Sequence, residues 1–169
     1  MTKKIFRGFT LRITLGIIML IVLAGEAGAL PNAYITNSYS GTVSVIDIAT
    51  NIVIGTVAIG SIYSSPGGVA VSPDGTKVYI TAQESGGTLY VIDATTNKVI
   101  GNLQLGSNYP FGVAVSPDGT NVYVAEAGWN EISVVDTATL KVVKTIPVGS
   151  NPVGVDVTPD GKTIYVANY

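Results

Sequence analysis

The chain has 169 residues, 47% of them hydrophobic and only 12% charged, a composition that folds and buries surface and excludes intrinsic disorder as the main description. It contains no histidine and no cysteine, which removes Ser-His-Asp triads, imidazole and thiolate metal ligands, and disulfides together. The formal net charge is −2, and no basic stripe interleaved with aromatics is present to follow a phosphate backbone, so nucleic acid is not an expected partner.

The first element is unlike the rest. Lys3, Lys4, Arg7 and Arg12 precede an uncharged apolar run from Ile13 to Gly25, and Ala27-Gly28-Ala29 follows with small residues. That is the pattern of a secretory signal peptide over residues 1–29 with cleavage after Ala29. The competing description, an uncleaved membrane anchor, fits less well because the run falls short of the roughly 20 residues that span a bilayer. The membrane is thus expected to matter only during export, and the protein is expected to be secreted or at the cell surface. Removing residues 1–29 takes away those four cations and Glu26 and moves the formal net charge from −2 to −5, leaving an acidic chain without arginine.

Beyond the signal the sequence repeats. Tyr34-Ile35-Thr36-Asn37, Tyr79-Ile80-Thr81-Ala82, Tyr123-Val124-Ala125-Glu126 and Tyr165-Val166-Ala167-Asn168 recur at spacings of 45, 44 and 42 residues. VIDIATNIVIG from Val45, VIDATTNKVIG from Val91 and VVDTATLKVVK from Val134 keep step with them. VAVSPDGT appears twice, from Val69 and from Val113, and returns as VDVTPDGK from Val155. Between Pro66–Ala82 and Pro110–Glu126, twelve of seventeen positions are identical.

A period in the low forties made of short strands and turns is that of a propeller blade with four antiparallel strands. In the second unit the alternation and turn residues predict strand A at Val69–Ser72, strand B at Lys77–Ala82, strand C at Thr88–Asp93 and strand D at Lys98–Leu105. Ser72-Pro73-Asp74-Gly75 is a turn, with proline presetting φ and glycine in the last place. Leu89 and Val91 alternate with Tyr90 and Ile92, so neither face is polar, as expected of a blade packed on both sides. The fold class is therefore all-β, a partial or open β-propeller with about three blades. A partial blade is expected at 33–59, blades at about 67–105 and 111–148, and a further partial blade at 152–169. That makes thirteen strands.

These motifs, together with VSVIDIATN and VGSNPVGVDVTPDGKTIYVAN, resemble the YVTN family of propeller repeats over residues 33–169. The resemblance implies a secreted surface-layer or adhesion protein with no shared active site, binding a protein or a cell-surface polymer. Propellers close with four to eight blades, so about three blades leave open edges suited to self-association. The chain is expected to be a fragment of a longer propeller, set against a natural half-ring that assembles as an oligomer. The main expectation is a non-enzymatic surface protein without a catalytic, cofactor-binding or metal site. The alternative is a fragment of a secreted propeller enzyme or cofactor scaffold, resembling lactonases or haem-carrying nitrite reductases.

Most carboxylates have structural explanations. Asp74, Asp118 and Asp160 sit in PDG turns, and Asp47, Asp93 and Asp136 close the corner after strand C. Three residues break the repeat and, with one tryptophan, are the candidates for a partner surface. Glu84 and Glu126 fall at or near the place of Asn37 and Asn168, and Asp156 replaces Ala70 and Ala114 on strand A, which lines the channel of a propeller. The unique Trp129, in AGWNE, is either a recognition anchor or a cover for a blade edge. One carboxylate on three inner strands is too few for a hard cation that takes six to eight oxygens.

Overall fold

The computed structural model describes residues 32–107 and 109–169, and the expected signal segment lies outside them. No helix among the described residues is long and apolar enough to cross a membrane. β1 (Asn32–Asn37), β2 (Thr42–Asp47) and β3 (Ile52–Ala58) form a three-stranded antiparallel sheet, with a short 3-10 turn at Ser38–Ser40. Two four-stranded sheets follow. One holds β4 (Pro66–Val71), β5 (Lys77–Ala82), β6 (Thr88–Asp93) and β7 (Lys98–Gln104). The other holds β8 (Pro110–Val115), β9 (Asn121–Glu126), β10 (Glu131–Asp136) and β11 (Lys141–Pro147). β12 (Pro152–Val157) and β13 (Ile164–Asn168) make a two-stranded end. These thirteen strands are the partial-propeller arrangement that the repeat predicts.

Strands B and C of the second unit coincide with their expected bounds, and D ends one residue early. Strand A begins three residues sooner, at Pro66, because a bulge between Pro66 and Val69 carries Gly67 and Gly68 into the ladder. Strand alternation cannot register a bulge. Glycine is required there: a Cβ on Gly68 would collide with the Phe111 carbonyl oxygen of the next inner strand. A Cβ on Gly112 would lie 2.9 Å from Gly154 Cα and 3.0 Å from the Val153 carbonyl. Adjacent inner strands thus approach backbone to backbone.

The repeated motifs act as corners. Ser72 Oγ donates to Asp74 Oδ1 at 2.5 Å, Thr76 N donates to the same oxygen at 3.0 Å, and Gly75 N bonds to the Ser72 carbonyl at 2.8 Å. Ser116-Asp118-Thr120 repeats these contacts, and Thr158-Asp160 retains the hydroxyl contact. Asp47, Asp93 and Asp136 likewise accept from the backbone of Thr50, Thr96 and Thr139. The corner ends on a left-handed residue, Asn51, Asn97 or Leu140.

The blades are held by two apolar layers. Tyr34, Val43, Val45, Val57 and Ile59 pack against Val69, Val71, Val78, Ile80 and Ile92. The opposite face of the second blade, with Ala70, Tyr79, Leu89 and Val91, packs against Val113, Val122, Val124 and Val135. A blade buries two faces only with two neighbours, and among the described residues the β12–β13 end has a free face. The repeat tyrosine reports it: Tyr34 and Tyr79 are 2% exposed, whereas Tyr165 is 67% exposed. Threonine in the repeat adds a polar tie. Thr36 Oγ1 donates to the Gly67 carbonyl at 2.8 Å and Thr81 Oγ1 to the Phe111 carbonyl at 2.6 Å, each reaching the next blade.

Candidate functional site

Antiparallel order sorts the connections into two ends. The PDG turns and the Asp corners share one end, and the B-to-C loops and blade-to-blade links share the other. Lys77, Lys98 and Lys141 open strands at the first end, Lys162 lies in its last turn, and Lys144 is on the outer strand β11. The second end carries Glu84, Glu126 and Glu131 and no lysine among the described residues. Its charge is therefore acidic and uncompensated.

Two insertions meet at that end. The link from β3 to β4 spans residues 59–65, against 105–109 and 148–151 in the later units. The loop from β5 to β6 spans 83–87, whereas its counterparts are 38–41 and 127–130. The longer link and the longer loop touch: Ser64 Oγ donates to Glu84 Oε2 at 2.7 Å, and Tyr90 OH donates to Glu84 Oε1 at 2.7 Å. Gly60, at φ 61, lets them close, since a Cβ there would fall 2.6 Å from Tyr90 OH and 2.9 Å from Glu84 Oε2.

Partial burial pushes the Glu84 carboxyl up, but hydrogen bonds from Thr88, Ser64 and Tyr90 outweigh it and hold the group below the usual carboxylate range. Glu84 is thus a fixed carboxylate. Burial, with the Glu84 charge beside it, pushes the Tyr90 hydroxyl up to about 12. Glu84 also lines a shallow depression of about 420 Å³ with Tyr63, Gln83, Ser85 and Tyr109. Tyr63 and Tyr109 are 81% and 55% exposed.

Glu126 stands one blade further on, in a different environment. It is fully buried, and neither carboxyl oxygen has a hydrogen-bond partner among the described residues. Burial pushes it up to about 7; the nearby Ser107 and Ser133 hydroxyls oppose the rise, and Glu131 adds to it. Asn37, at the equivalent position, instead donates to Ser44 Oγ at 2.9 Å. The two glutamates that the sequence groups together are therefore unlike: one is ionised in a hydrogen-bonded cluster, the other is enclosed.

Trp129 packs its six-membered ring over Gly106 and remains half exposed, so it covers the link beside Glu126. Asp156 is exposed in the middle of β12, far along the chain from both glutamates. It occupies the position of Ala70, which points into the layer between blades, so strand alternation directs it to the free blade face rather than to the channel. Ser64, Tyr63, Tyr90 and Tyr109 escaped sequence reasoning. The differing link lengths were the signal that marked them. Among the described residues, no group of three or more His, Cys, Asp or Glu side chains could hold a metal ion.

Comparison with known proteins sharpens the lineage. The Cytochrome D1 heme domain family matches residues 73–169. A solved structure of Kuenenia stuttgartiensis Hydrazine Synthase is similar with a TM-score of 0.74 and 34% sequence identity. That similarity covers 80% of this chain and 38% of the other, so this chain spans well under half the length of its structural relative. No curated protein matches. The match over residues 73–169 extends through more than half of the sequence, from the turn after β4 to β13, and the chain belongs to the cytochrome D1 heme domain family of β-propellers.

Proposed function

We propose that the chain is a blade segment of a larger secreted propeller enzyme or cofactor scaffold, building the wall of that propeller rather than its metal-ligating centre. The observation that carries the proposal is the family match over residues 73–169. The name of the structural neighbour, a synthase, points the same way. Both favour the enzyme or cofactor-scaffold alternative over the surface-layer and adhesion role, whose support is the resemblance of the repeat unit to YVTN repeats and the signal-like N-terminus. The expectation of a non-enzymatic protein gains nothing from these relatives.

The residues present do not fit a haem. Haem iron is held by histidine, cysteine, methionine or tyrosine. The sequence has no histidine and no cysteine, and its two methionines, Met1 and Met19, fall in the expected signal. Tyrosine is the one ligand type left. Among the described residues, no cation stands at the acidic loop end to pair with the carboxylates that haem carries. The ligands of any such group would come from outside residues 32–169, and the free face at Tyr165 is where further blades would join.

Absorption spectroscopy tests the proposal in two arms. Haemin added to the purified chain is expected to keep the spectrum of free haemin, while the protein isolated from its native source is expected to travel with a haem-bearing species. A saturable one-to-one haemin complex of the chain alone, or its recovery from the source as a free haem-less monomer, would contradict it.

A further inference from the structure

The depression between the two inserted loops has a chemistry of its own. Its walls include two exposed tyrosines, Tyr63 and Tyr109, from successive blade links, and its rim includes the Glu84 carboxylate. Glu84 is fixed from behind by Ser64 and Tyr90, each at 2.7 Å, so it is held in place without a ligand. No lysine or arginine lies at this end among the described residues, so the carboxylate has no cationic partner among them. The depression is shallow and open, with about 420 Å³ of room, so it would seat a small headgroup without enclosing it.

Aromatic faces beside an uncompensated carboxylate attract a cation by quadrupole and charge together, and such groupings recognise alkylated ammonium groups. An anion would meet repulsion from Glu84 and Glu131 with no positive charge to offset it. A purely apolar ligand would take water from the Glu84 charge and from Gln83 and Ser85 and offer no polar group in exchange. We propose that the depression framed by Tyr63, Glu84 and Tyr109 is a binding site for an organic ammonium cation.

The site exists because the repeat is broken twice in the same place. The longer link 59–65 supplies Tyr63 and Ser64, and the longer loop 83–87 supplies Gln83, Glu84 and Ser85. A lengthened loop needed only as a connection has no reason to meet a second lengthened loop 20 residues away through a buried serine. The proposal stands apart from the scaffold role above, since it concerns residues present in this chain.

Choline is the probe, with 3,3-dimethylbutan-1-ol as its uncharged isostere and glucose as a neutral polyol. Titration calorimetry and backbone amide NMR shifts are read on the purified chain. Choline is expected to bind saturably, shifting amides of residues 61–65, 83–87 and 109, with the isostere at least tenfold weaker. Tyr63→Ala and Tyr109→Ala are each expected to weaken choline about two- to fivefold, the range for an exposed cation–π contact. Glu84→Gln is expected to weaken it further, and because it disturbs the Ser64 and Tyr90 bonds, the two exposed tyrosine variants keep the test independent of folding. Equal binding of choline and the isostere, glucose binding without choline binding, no saturable choline binding, or tyrosine variants that bind as the parent does would each overturn the proposal.

Discussion

Ser64 donates a 2.7 Å hydrogen bond to Glu84 across 20 residues of sequence, and this one bond joins the two loops by which the second blade departs from the repeat. Ser64 is fully buried while Glu84 is only partly so, and the bond is shielded from water on the serine side. Ser64→Ala should therefore cost roughly 1–3 kcal/mol, the range for a buried hydrogen bond to a charged group. Glu84 is held below its ordinary value, so its share of stability is present above the unfolded pKa and is lost as pH falls through the folded one. Removing the serine should move that acid limb to higher pH. Carboxyl-carbon NMR titration checks it, and an unchanged Glu84 midpoint would show that Ser64 does not set the charge.

Glu126 has the opposite sign. Its folded pKa is raised by burial from 4.5 to about 7, so its contribution is fully present below pH 4.5 and is lost as pH rises through 7. At 1.36 kcal/mol per unit, the loss approaches roughly 3 kcal/mol above pH 8. Glu126→Gln should equal the parent near pH 4 and exceed it in stability at pH 8. Denaturant unfolding at both pH values measures this, and a parent as stable as the variant at pH 8 would mean that the carboxyl is solvated on ionisation.

Gly112 lies where inner strands meet, with Gly154 Cα 2.9 Å from the position of a Cβ. The obstacle is backbone, which cannot turn aside as a side chain can. Gly112→Ala should destabilise by about 1–3 kcal/mol through overpacking. Thermal unfolding of this variant beside Gly55→Ala, where the nearest atom is 4.0 Å away, separates crowding from the general effect of filling a strand glycine.

The repeat tyrosines should divide by blade. Tyr79 is buried between two blades and Tyr165 is on the free face. Tyr79→Ala should cost about 3–5 kcal/mol, as large aromatic truncations in cores do. Tyr165→Ala should change stability by no more than about 0.5 kcal/mol, as surface substitutions do. Comparable losses in the two variants would mean that the β12–β13 face is covered.

Much of this architecture was legible because each local signal agreed with the period. Lys77–Ala82 and Thr88–Asp93 follow from alternation bounded by turn residues, and Asp74 and Asp93 behave as the corner residues that their Pro-Asp-Gly and Asp-Ala-Thr contexts imply. The start of β4 was not legible, because the bulge at Gly67–Gly68 exists to pass the next inner strand, a tertiary demand. Glu126 and Asn37 look interchangeable in an alignment of repeats, yet burial depends on what the next link lays over them, here Ser107 with Trp129 on Gly106. Asp156 was expected on the channel because it is on an inner strand, but the side of a strand that a residue takes is set by register, and Ala70 marks that side as the face between blades.

The claim on which the account depends is that the β12–β13 face, open among the described residues, is a blade interface. Size-exclusion chromatography with light scattering on the purified chain tests it most directly. The face that exposes Tyr165 opposite Asp156 should drive concentration-dependent association, and Tyr165→Asp should reduce it by placing a second negative charge on that face. A chain that stays monomeric at every concentration, with or without the substitution, would contradict the account.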